Sequence, residues 1–267
     1  MTINDKATID TLQRYLEKRK LHVERQPDGL KVTQGSGILA QSAVINADDL
    51  LQSAPSDEVA CRRHLQAWTA GVKHVLLEPS RSKADEWSFV DSAGRLLPLI
   101  MPRTYLQGVE AAAGHPPWSE PFVDDLHLLF LIRLDRGLRV LTTDQTTRWG
   151  VSDDRIRSAA RSLLFHRTRD LSFKDVEDFS GVQRLKAGDG HDAARCQVVA
   201  DAFFSEVGSG FRFSIPSPDH FLCTFGDDDH QLHQATNTIY GDVDLPLSPR
   251  IFEFRTGTVT PVEETPS

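Results

Sequence analysis

The segment from residue 186 to residue 225 constrains the fold more than any other, because its apolar residues change their period along its length. A loop rich in glycine and aspartate is followed by a helical repeat that places five residues on one face: Cys196, Val199, Ala200, Phe203 and Val207. Apolar residues then alternate over 211–215 and 221–225, which is the period of half-buried strands. The segment therefore predicts a loop, a helix from Asp192 as its N-cap to Gly208, and two strands joined by a turn.

The same periodicities predict further elements on both sides of this segment. Helices are expected over 5–19, 56–77, 152–164 and 227–240, and strands over 21–23, 30–32, 38–45, 126–134, 138–142 and 251–254. Residues 87–90 and 96–97 flank Ser92-Ala93-Gly94 and predict a hairpin. Nearly every residue of 126–134 is apolar, as in a strand that is covered on both faces.

The order of these elements predicts an α+β fold with a mixed, largely antiparallel sheet and packed helices. A run of Pro, Ser and charged residues over 78–86 lies between periodic segments and marks the expected boundary. We predict a smaller N-terminal α+β region over 1–78, a main α+β domain over 87–262 and a tail over 263–267.

The net charge of the chain indicates which kinds of partner it can bind. The net charge is −8 and the isoelectric point is about 5.7, whereas nucleic acids and anionic membranes attract clusters of Lys and Arg. We therefore predict a protein partner of basic character, with neither nucleic acid nor membrane as partner.

Cys61, Cys196 and Cys223 are odd in number and two lie in apolar runs, which is typical of reduced, buried thiols. The chain starts without a signal-peptide pattern and has no long apolar run, so a cytoplasmic location is expected.

Several short motifs occur in an order that resembles a known family. They are PLIMP at 98–102, PFVDDL at 121–126, Gly150-Val151 before the Ser152 helix, DGHDAAR at 189–195, PSPD at 216–219 and LSPR at 247–250. In this order they resemble the bacterial domain-of-unknown-function family 1444, the YtpQ-like proteins, over about 98–262. The resemblance implies a fold and a bacterial cytosolic setting, and it implies no chemistry.

Two groups of polar residues are candidates for binding an anion or a metal. The first group lies in the loop before a helix and consists of Gly188, Asp189, Gly190, His191 and Asp192. Exposed N–H groups at the start of a helix favour an anion. The alternative is a capped loop, since the two acidic side chains would repel a phosphate. Asp227, Asp228 and Asp229 precede His230 and His233, whose spacing puts both imidazoles on one side of a helix, as metal ligands require. The alternative there is a solvated acidic first turn that complements the helix dipole.

Two further groups are candidates for catalysis. Asp219 could orient His220 for acid–base chemistry, with Asp124 and Asp125 as neighbours in space; the alternative is a simple turn over 216–219. Cys196 follows Arg195 near a helix N-terminus, with His191 in the preceding loop, but its place in the apolar stripe favours a buried, inert thiol. Neither Ser152 nor Ser248 lies in a Gly-x-Ser-x-Gly motif.

These observations lead to two hypotheses from different classes. The preferred one is a stoichiometric protein-binding module, such as an immunity protein or regulatory adaptor, that acts through an acidic surface formed by Asp124, Asp125, Asp227, Asp228 and Asp229. Further acidic pairs stand at 48–49 and 153–154. The alternative is a hydrolase or metal-dependent enzyme that uses Asp189, His191, Asp192, Asp219 and His220. No cofactor is predicted, and His230 and His233 are the only metal-ligand candidates.

Overall fold

The structure is a computed structural model that describes residues 3–18, 20–27, 29–34, 41–46, 54–55, 57–77, 86–135, 137–203, 211–225, 229–255 and 258–262. It confirms the predicted α+β class, with helices packed on three antiparallel sheets. The helices of these residues are α1 (Ile3–Lys18), α2 (Glu58–Leu77), α3 (Phe89–Ala93), α4 (Arg103–Ala113), α5 (Thr143–Trp149), α6 (Asp153–Thr168), α7 (Cys196–Phe203) and α8 (His230–Asp242). The strands are β1 (His22–Gln26), β2 (Gly29–Gln34), β3 (Gln41–Asn46), β4 (Leu96–Pro102), β5 (Ser119–Val123), β6 (Leu126–Arg133), β7 (Leu138–Val140), β8 (Phe173–Asp175), β9 (Gln183–Leu185), β10 (Phe211–Ser217), β11 (His220–Thr224), β12 (Ile251–Arg255) and β13 (Thr258–Pro261).

The chain forms two compact units, and neither is a single continuous stretch. The first comprises 1–87, 102–118 and 132–149, and the second comprises 88–101, 119–131 and 150–267. The predicted ranges differ from these units because α4 packs against α2, which groups a central segment with the N-terminal residues. The boundary predicted at 78–86 stays a prediction, since 78–85 lie outside the described residues, as does the predicted tail.

In the first unit, a three-stranded sheet of order β1-β2-β3 packs against α1 and α2. Strand alternation turns Leu30 and Val32 of β2, and Ala43 and Ile45 of β3, to the same buried side. Helix α2 begins beside Asp57, whose carboxylate accepts the Ala60 N–H at 2.8 Å, as expected of an N-terminal cap. The core of this sheet and its helices consists of Ile9, Leu12, Leu16, Leu21, Leu30, Val32, Ala43, Ile45, Leu65, Trp68, Val72 and Leu76.

Helices α2 and α4 cross at very short range, because a glycine of each helix faces the backbone of the other. A Cβ atom on Gly71 would lie 2.2 Å from the Tyr105 carbonyl oxygen. One on Gly108 would lie 2.1 Å from the Trp68 carbonyl oxygen. No side chain fits at either position unless the helices separate, so glycine sets the distance between them.

The second unit contains a six-stranded antiparallel sheet of order β13-β12-β10-β11-β9-β8. Its predicted alternation is confirmed: Phe213 of β10 lies opposite Cys223 of β11 and Phe252 of β12, and all three are fully buried. The Phe213 and Phe221 rings stack at 5.5 Å on this aromatic side. The opposite side packs against α8 through Val182, Leu222, Leu232, Ala235 and Ile251.

A third sheet has the strand order β4-β6-β5, with β7 paired to β6. The strands predicted over 126–134 and 138–142 are therefore both present, as β6 and β7, and they pair with each other. Every residue of β4 is buried, and so are six of the eight residues of β6, which explains the continuous apolar runs in both strands.

The hairpin predicted across Ser92-Ala93-Gly94 is wrong. The first of its two segments is the short helix α3, and only the second is a strand. Asp91 and Ser88 give the reason: the Asp91 N–H donates to Ser88 Oγ at 3.3 Å, and the Ser88 N–H donates to Asp91 Oδ2 at 3.0 Å. This capping box satisfies two N–H groups at the start of a helix and outweighs the alternating pattern.

The helix predicted from Asp192 begins as one 3₁₀ turn over Ala193–Arg195 and continues as α7. Cys196 and Val199 are buried, as the pattern predicts. Three other members of the predicted stripe lie outside the described side chains: Ala200, Phe203 and Val207. Among the helices that the structure describes, none has the length and apolar character needed to cross a bilayer.

Candidate functional site

Arg195 is a fully buried cation in the turn that leads into α7. Its Nη1 donates to Asp189 Oδ1 and to Asp192 Oδ1, and its Nη2 donates to Asp189 Oδ2, each at 2.9 Å. The two contacts with Asp189 form the bidentate pair that a planar guanidinium favours. Arg167 of α6 approaches the same carboxylate at 3.5 Å. Two guanidinium groups thus balance the two carboxylates of the loop.

Asp192 is also fully buried, and its carboxylate binds the loop that precedes it. It accepts the backbone N–H groups of Ala187 at 3.0 Å and Gly188 at 3.3 Å, besides the Arg195 contact. The prediction that Asp192 caps the helix is wrong, because its side chain makes no capping hydrogen bond. A buried arginine three residues later requires an anion, and this requirement prevails over the cap.

The anion that the sequence suggested for this loop is supplied by the chain itself. Besides the two N–H groups bound to Asp192, the His191 N–H donates to Asp189 Oδ1 at 3.2 Å. Burial raises the pKa of Asp189, but the hydrogen bonds and charge of Arg195 and a smaller contribution from His191 bring it below its usual value. Burial raises the pKa of Asp192, which its N–H donors and Arg195 oppose only in part. The loop is therefore held by its own carboxylates, which bind its backbone N–H groups.

His191 fixes this loop to strand β4. Its side chain is buried and its Nδ1 lies 2.9 Å from the Pro98 carbonyl oxygen, so Nδ1 carries the proton and donates. Burial lowers the pKa of His191, and the Pro98 hydrogen bond and Asp189 oppose this shift in part. The imidazole is consequently neutral near pH 7 and acts as a hydrogen-bond donor to the backbone.

The turn between β10 and β11 brings the other predicted pair to the same loop. The Ala193 N–H donates to the Pro218 carbonyl at 3.0 Å, and a Cβ on Gly190 would lie 3.9 Å from Asp219 Oδ1. Asp189, His191, Asp192, Asp219 and His220 therefore lie near one another. His220 Nδ1 and Ser217 Oγ are 2.7 Å apart, and Ser217 Oγ also accepts the Asp219 N–H at 3.3 Å.

The contacts within this group are those of a structural anchor. Ser217 is only 3% exposed, so its hydroxyl has no access to a substrate, and burial lowers the pKa of His220, which Asp219 opposes. Cys196 is fully buried, and burial raises its thiol pKa far above the usual range; burial also raises the pKa of Cys223 to about 12. The predicted hydrolase or metal-dependent enzyme stays a prediction.

The predicted acidic binding residues differ in whether their carboxylates already bind an arginine of the same chain. The Asp124 carboxylate accepts two hydrogen bonds from Arg250 Nη1, at 3.1 and 3.2 Å, and Asp229 accepts one from Arg212 at 2.9 Å. Asp125 is exposed. Asp227 and Asp228 lie outside the described residues, as do Asp48 and Asp49. Arginines thus neutralise both Asp124 and Asp229.

The predicted metal ligands His230 and His233 lie in the first turn of α8. His230 is exposed and His233 is half-buried. Within the described part of the chain, no three His, Cys, Asp or Glu side chains come close enough to hold a metal ion.

A second group of carboxylates surrounds Arg157 of α6. Arg157 Nε lies 2.6 Å from Glu120 Oε1 of β5, and its Nη1 contacts Asp154, which is 88% exposed. The pKa of Arg157 is raised, mainly by its hydrogen bond with Glu120. Burial lowers this pKa in part, whereas the negative charges of Glu120, Asp154 and Asp153 raise it further. Strand β5 and the first turn of α6 thus present their carboxylates together.

Helix α3 extends this group, because the Arg155 guanidinium lies 5.1 Å from the centre of the Phe89 ring. Val90 follows Phe89 and is 80% exposed. We call Asp91, Glu120, Asp153 and Asp154 the α6 acidic surface; with Arg155 and Arg157, its four carboxylates and two guanidinium groups leave a net charge of −2. Sequence reasoning recognised only the 153–154 pair, since Arg157 and Glu120 are 37 residues apart in the chain.

Comparison of the chain with protein-family models, with curated proteins and with solved structures gave no match in any of the three.

Proposed function

We propose that this protein is a stoichiometric protein-binding module, of the immunity or regulatory-adaptor type, that captures a basic partner through the α6 acidic surface. The observation that carries the proposal is the joint binding of Glu120 and Asp154 to Arg157, which brings carboxylates of two elements to one exposed place. We propose in addition that the protein acts in the cytoplasm and that it is related to the YtpQ-like family.

The α6 acidic surface suits this role better than the other acidic residues. Asp124 and Asp229 each bind a different arginine of the same chain, whereas Glu120 and Asp154 share a single arginine between them. In the α6 acidic surface the carboxylates outnumber the guanidinium groups, and Asp154 is almost wholly exposed. Val90 precedes Asp91 in α3 and is 80% exposed, so the same helix also offers an apolar side chain to a partner.

Such a surface would act mainly on the rate of association. A field of exposed carboxylates attracts a basic partner over a Debye length, which falls from about 30 Å at 0.01 M salt to about 10 Å at 0.1 M. The partner should therefore associate quickly at low salt and more slowly as the salt concentration rises, with a smaller effect on dissociation.

The test compares three forms of the protein as baits in affinity purification from the native host: wild type, Asp153→Asn/Asp154→Asn, and the control Asp242→Asn/Asp244→Asn. The control makes the same change in net charge at two exposed residues of α8 and the loop after it. We expect a basic partner with wild type and the control, in equimolar complex by calorimetry, and a clearly reduced yield with the first variant.

Association rates measured with the purified partner then decide the mechanism. The Asp153→Asn/Asp154→Asn variant should show a slower on-rate and a weaker dependence on salt than the control. Equal on-rates and equal salt dependence in the two variants would show that net charge matters and the α6 acidic surface does not. Capture of an equimolar partner that is insensitive to either variant would refute this surface as the interface.

A further inference from the structure

Three cations lie together on the six-stranded sheet of the second unit, at the end formed by β8 and β9. Lys174 of β8 lies directly opposite Arg184 of β9. Directly opposite residues of an antiparallel pair project to the same side of the sheet, with their Cβ atoms about 4.5–5.5 Å apart. Lys186 follows Arg184 by two residues, so the alternation of the chain brings it to that side as well. We call Lys174, Arg184 and Lys186 the β9 basic cluster.

Strand β11, on the other side of β9, supports this placement. Leu222 of β11 pairs with Arg184, and His220 precedes Leu222 by two residues, so His220 projects to the side of the cluster. Burial is the main cause that lowers the pKa of His220, and the positive charges of Lys186 and Arg184 lower it further. Both cations therefore lie within electrostatic range of one imidazole.

The three cations have no anionic partner among the residues that the structure describes. Their side chains form neither an ion pair nor a hydrogen bond there, and Arg184 Nε is buried without any acceptor. The chain has 38 acidic residues against 30 Lys and Arg, so carboxylates are not scarce. Like charges directly opposite each other destabilise a sheet, and a buried N–H without an acceptor costs further free energy. An anion bound by the cluster relieves both costs.

The cluster stays positive when the nearby carboxylates are included. Of the described carboxylates, Asp219 and Asp192 also act on the His220 imidazole. Asp192 is bound to Arg195 at 2.9 Å, so its charge is already balanced. Asp219 then contributes one negative charge against the three cations, which leaves a net charge of +2. Lys174 and Lys186 are exposed and Arg184 is half-buried, so the cations are open to a ligand from solvent.

We propose that the β9 basic cluster binds a phosphate group. A phosphate monoester carries a charge of about −1.5 to −2 at pH 7 and three acceptor oxygens, which suits three cations grouped around one place. A carboxylate offers two oxygens and a single charge. The Arg184 guanidinium can donate to two phosphate oxygens at once, and the lysines supply point charges. The chain as a whole, at −8, repels a long polyanion, so the ligand carries its phosphate on a small molecule or is free phosphate.

The experiment titrates the full-length protein with inorganic phosphate at constant ionic strength and follows the backbone amide signals of 172–176 and 183–187 by NMR. We expect these signals to shift saturably with phosphate and not with acetate. Arg184→Gln should weaken phosphate binding by about tenfold, the value of one charge-assisted hydrogen bond. Arg103→Gln removes the same charge from an exposed residue of α4 in the first unit and should leave the affinity unchanged.

A second titration, with O-phosphoserine, distinguishes the two sources of the phosphate group. Tighter binding than that of inorganic phosphate identifies a phosphate monoester as the ligand, and weaker binding identifies free phosphate; both results support the site. If Arg184→Gln fails to fold, Lys186→Gln takes its place, because Lys186 is exposed, and it should likewise weaken phosphate binding.

Thermal unfolding tests the repulsion between the opposite cations. Lys174→Gln should raise Tm in the absence of phosphate, because it removes one of two like charges, and phosphate should raise its Tm less than that of wild type. Shifts that do not saturate with phosphate, equal phosphate affinities in wild type and the cluster variants, or acetate binding as tight as phosphate binding would overturn the proposal. None of these results would bear on the α6 acidic surface, whose residues are different.

Discussion

The contact between α2 and α4 predicts a large effect from a very small substitution. In Gly71→Ala or Gly108→Ala the new methyl group would begin 2.1–2.2 Å from a backbone carbonyl oxygen, more than an ångström inside ordinary contact. A backbone oxygen cannot swing aside as a side chain can, so the helices must separate. Overpacking of this kind costs about 1–3 kcal/mol, and we take the upper end.

Helix propensity opposes this cost, because alanine is about 1 kcal/mol better than glycine inside a helix. The expected net loss in the free energy of unfolding is therefore about 2 kcal/mol, or a fall in Tm of about 6–12 °C for a unit of about 120 residues. The double variant should lose less than the sum of the single ones, since one separation of the helices relieves both contacts.

Tryptophan fluorescence during urea unfolding is a selective assay for this effect. All four tryptophans of the chain belong to the first unit: Trp68, Trp87, Trp118 and Trp149. Gly241→Ala is the matched control, because Gly241 also lies in a helix but a methyl group placed there would meet no atom within 4 Å. It should be neutral or slightly stabilising by circular dichroism. Equal stabilities for Gly71→Ala and wild type would refute the close crossing of α2 and α4.

Two further predictions concern the loop before α7. Arg195→Met should lower the free energy of unfolding by about 3–5 kcal/mol, because it leaves the buried Asp192 without its cation and Asp189 with only the longer Arg167 contact; an unchanged denaturation midpoint would contradict the buried ion pairs. Stability should also fall as the pH drops below about 6.5, because burial puts the pKa of His191 and His220 below that of the unfolded chain, which therefore binds protons first. Denaturation midpoints over this pH range should change less steeply in His191→Gln, and an identical slope would contradict this assignment.

Where apolar residues follow a single helical or strand period through a whole segment, the sequence predicted both the element and the side of it that is buried. Ile156, Ala160 and Leu164 are buried on α6 at helical spacing, and Phe213 and Cys223 face the same side of their sheet. Local hydrogen bonds limited this success: Ser88 and Asp91 form a capping box inside a pattern that also fits a strand. Alternation over four residues is too short to prevail over two such bonds.

The candidate sites were predicted less well, because residue type does not show which partner a charge will meet. The sequence groups Asp189, His191 and Asp192 correctly in one loop, yet their role follows from Arg195, which in the sequence stands out only as the neighbour of Cys196. The carboxylate of Asp192 was assigned to a helix cap and instead binds the guanidinium and the loop backbone. A buried guanidinium group requires an anion, so the Asp192 carboxylate binds it in preference to the free N–H groups at the start of the helix.

The buried faces of the long elements follow from the chain alone, since the periods of helix and strand are properties of backbone geometry. The pairing of charges does not, because Asp124 meets Arg250 across 126 residues and Glu120 meets Arg157 across 37. Only the folded chain brings such residues within hydrogen-bond distance, and it gives Asp124 an arginine of its own while Glu120 and Asp154 share Arg157. The same holds for Gly71 and Gly108, whose importance arises from a carbonyl oxygen on another helix.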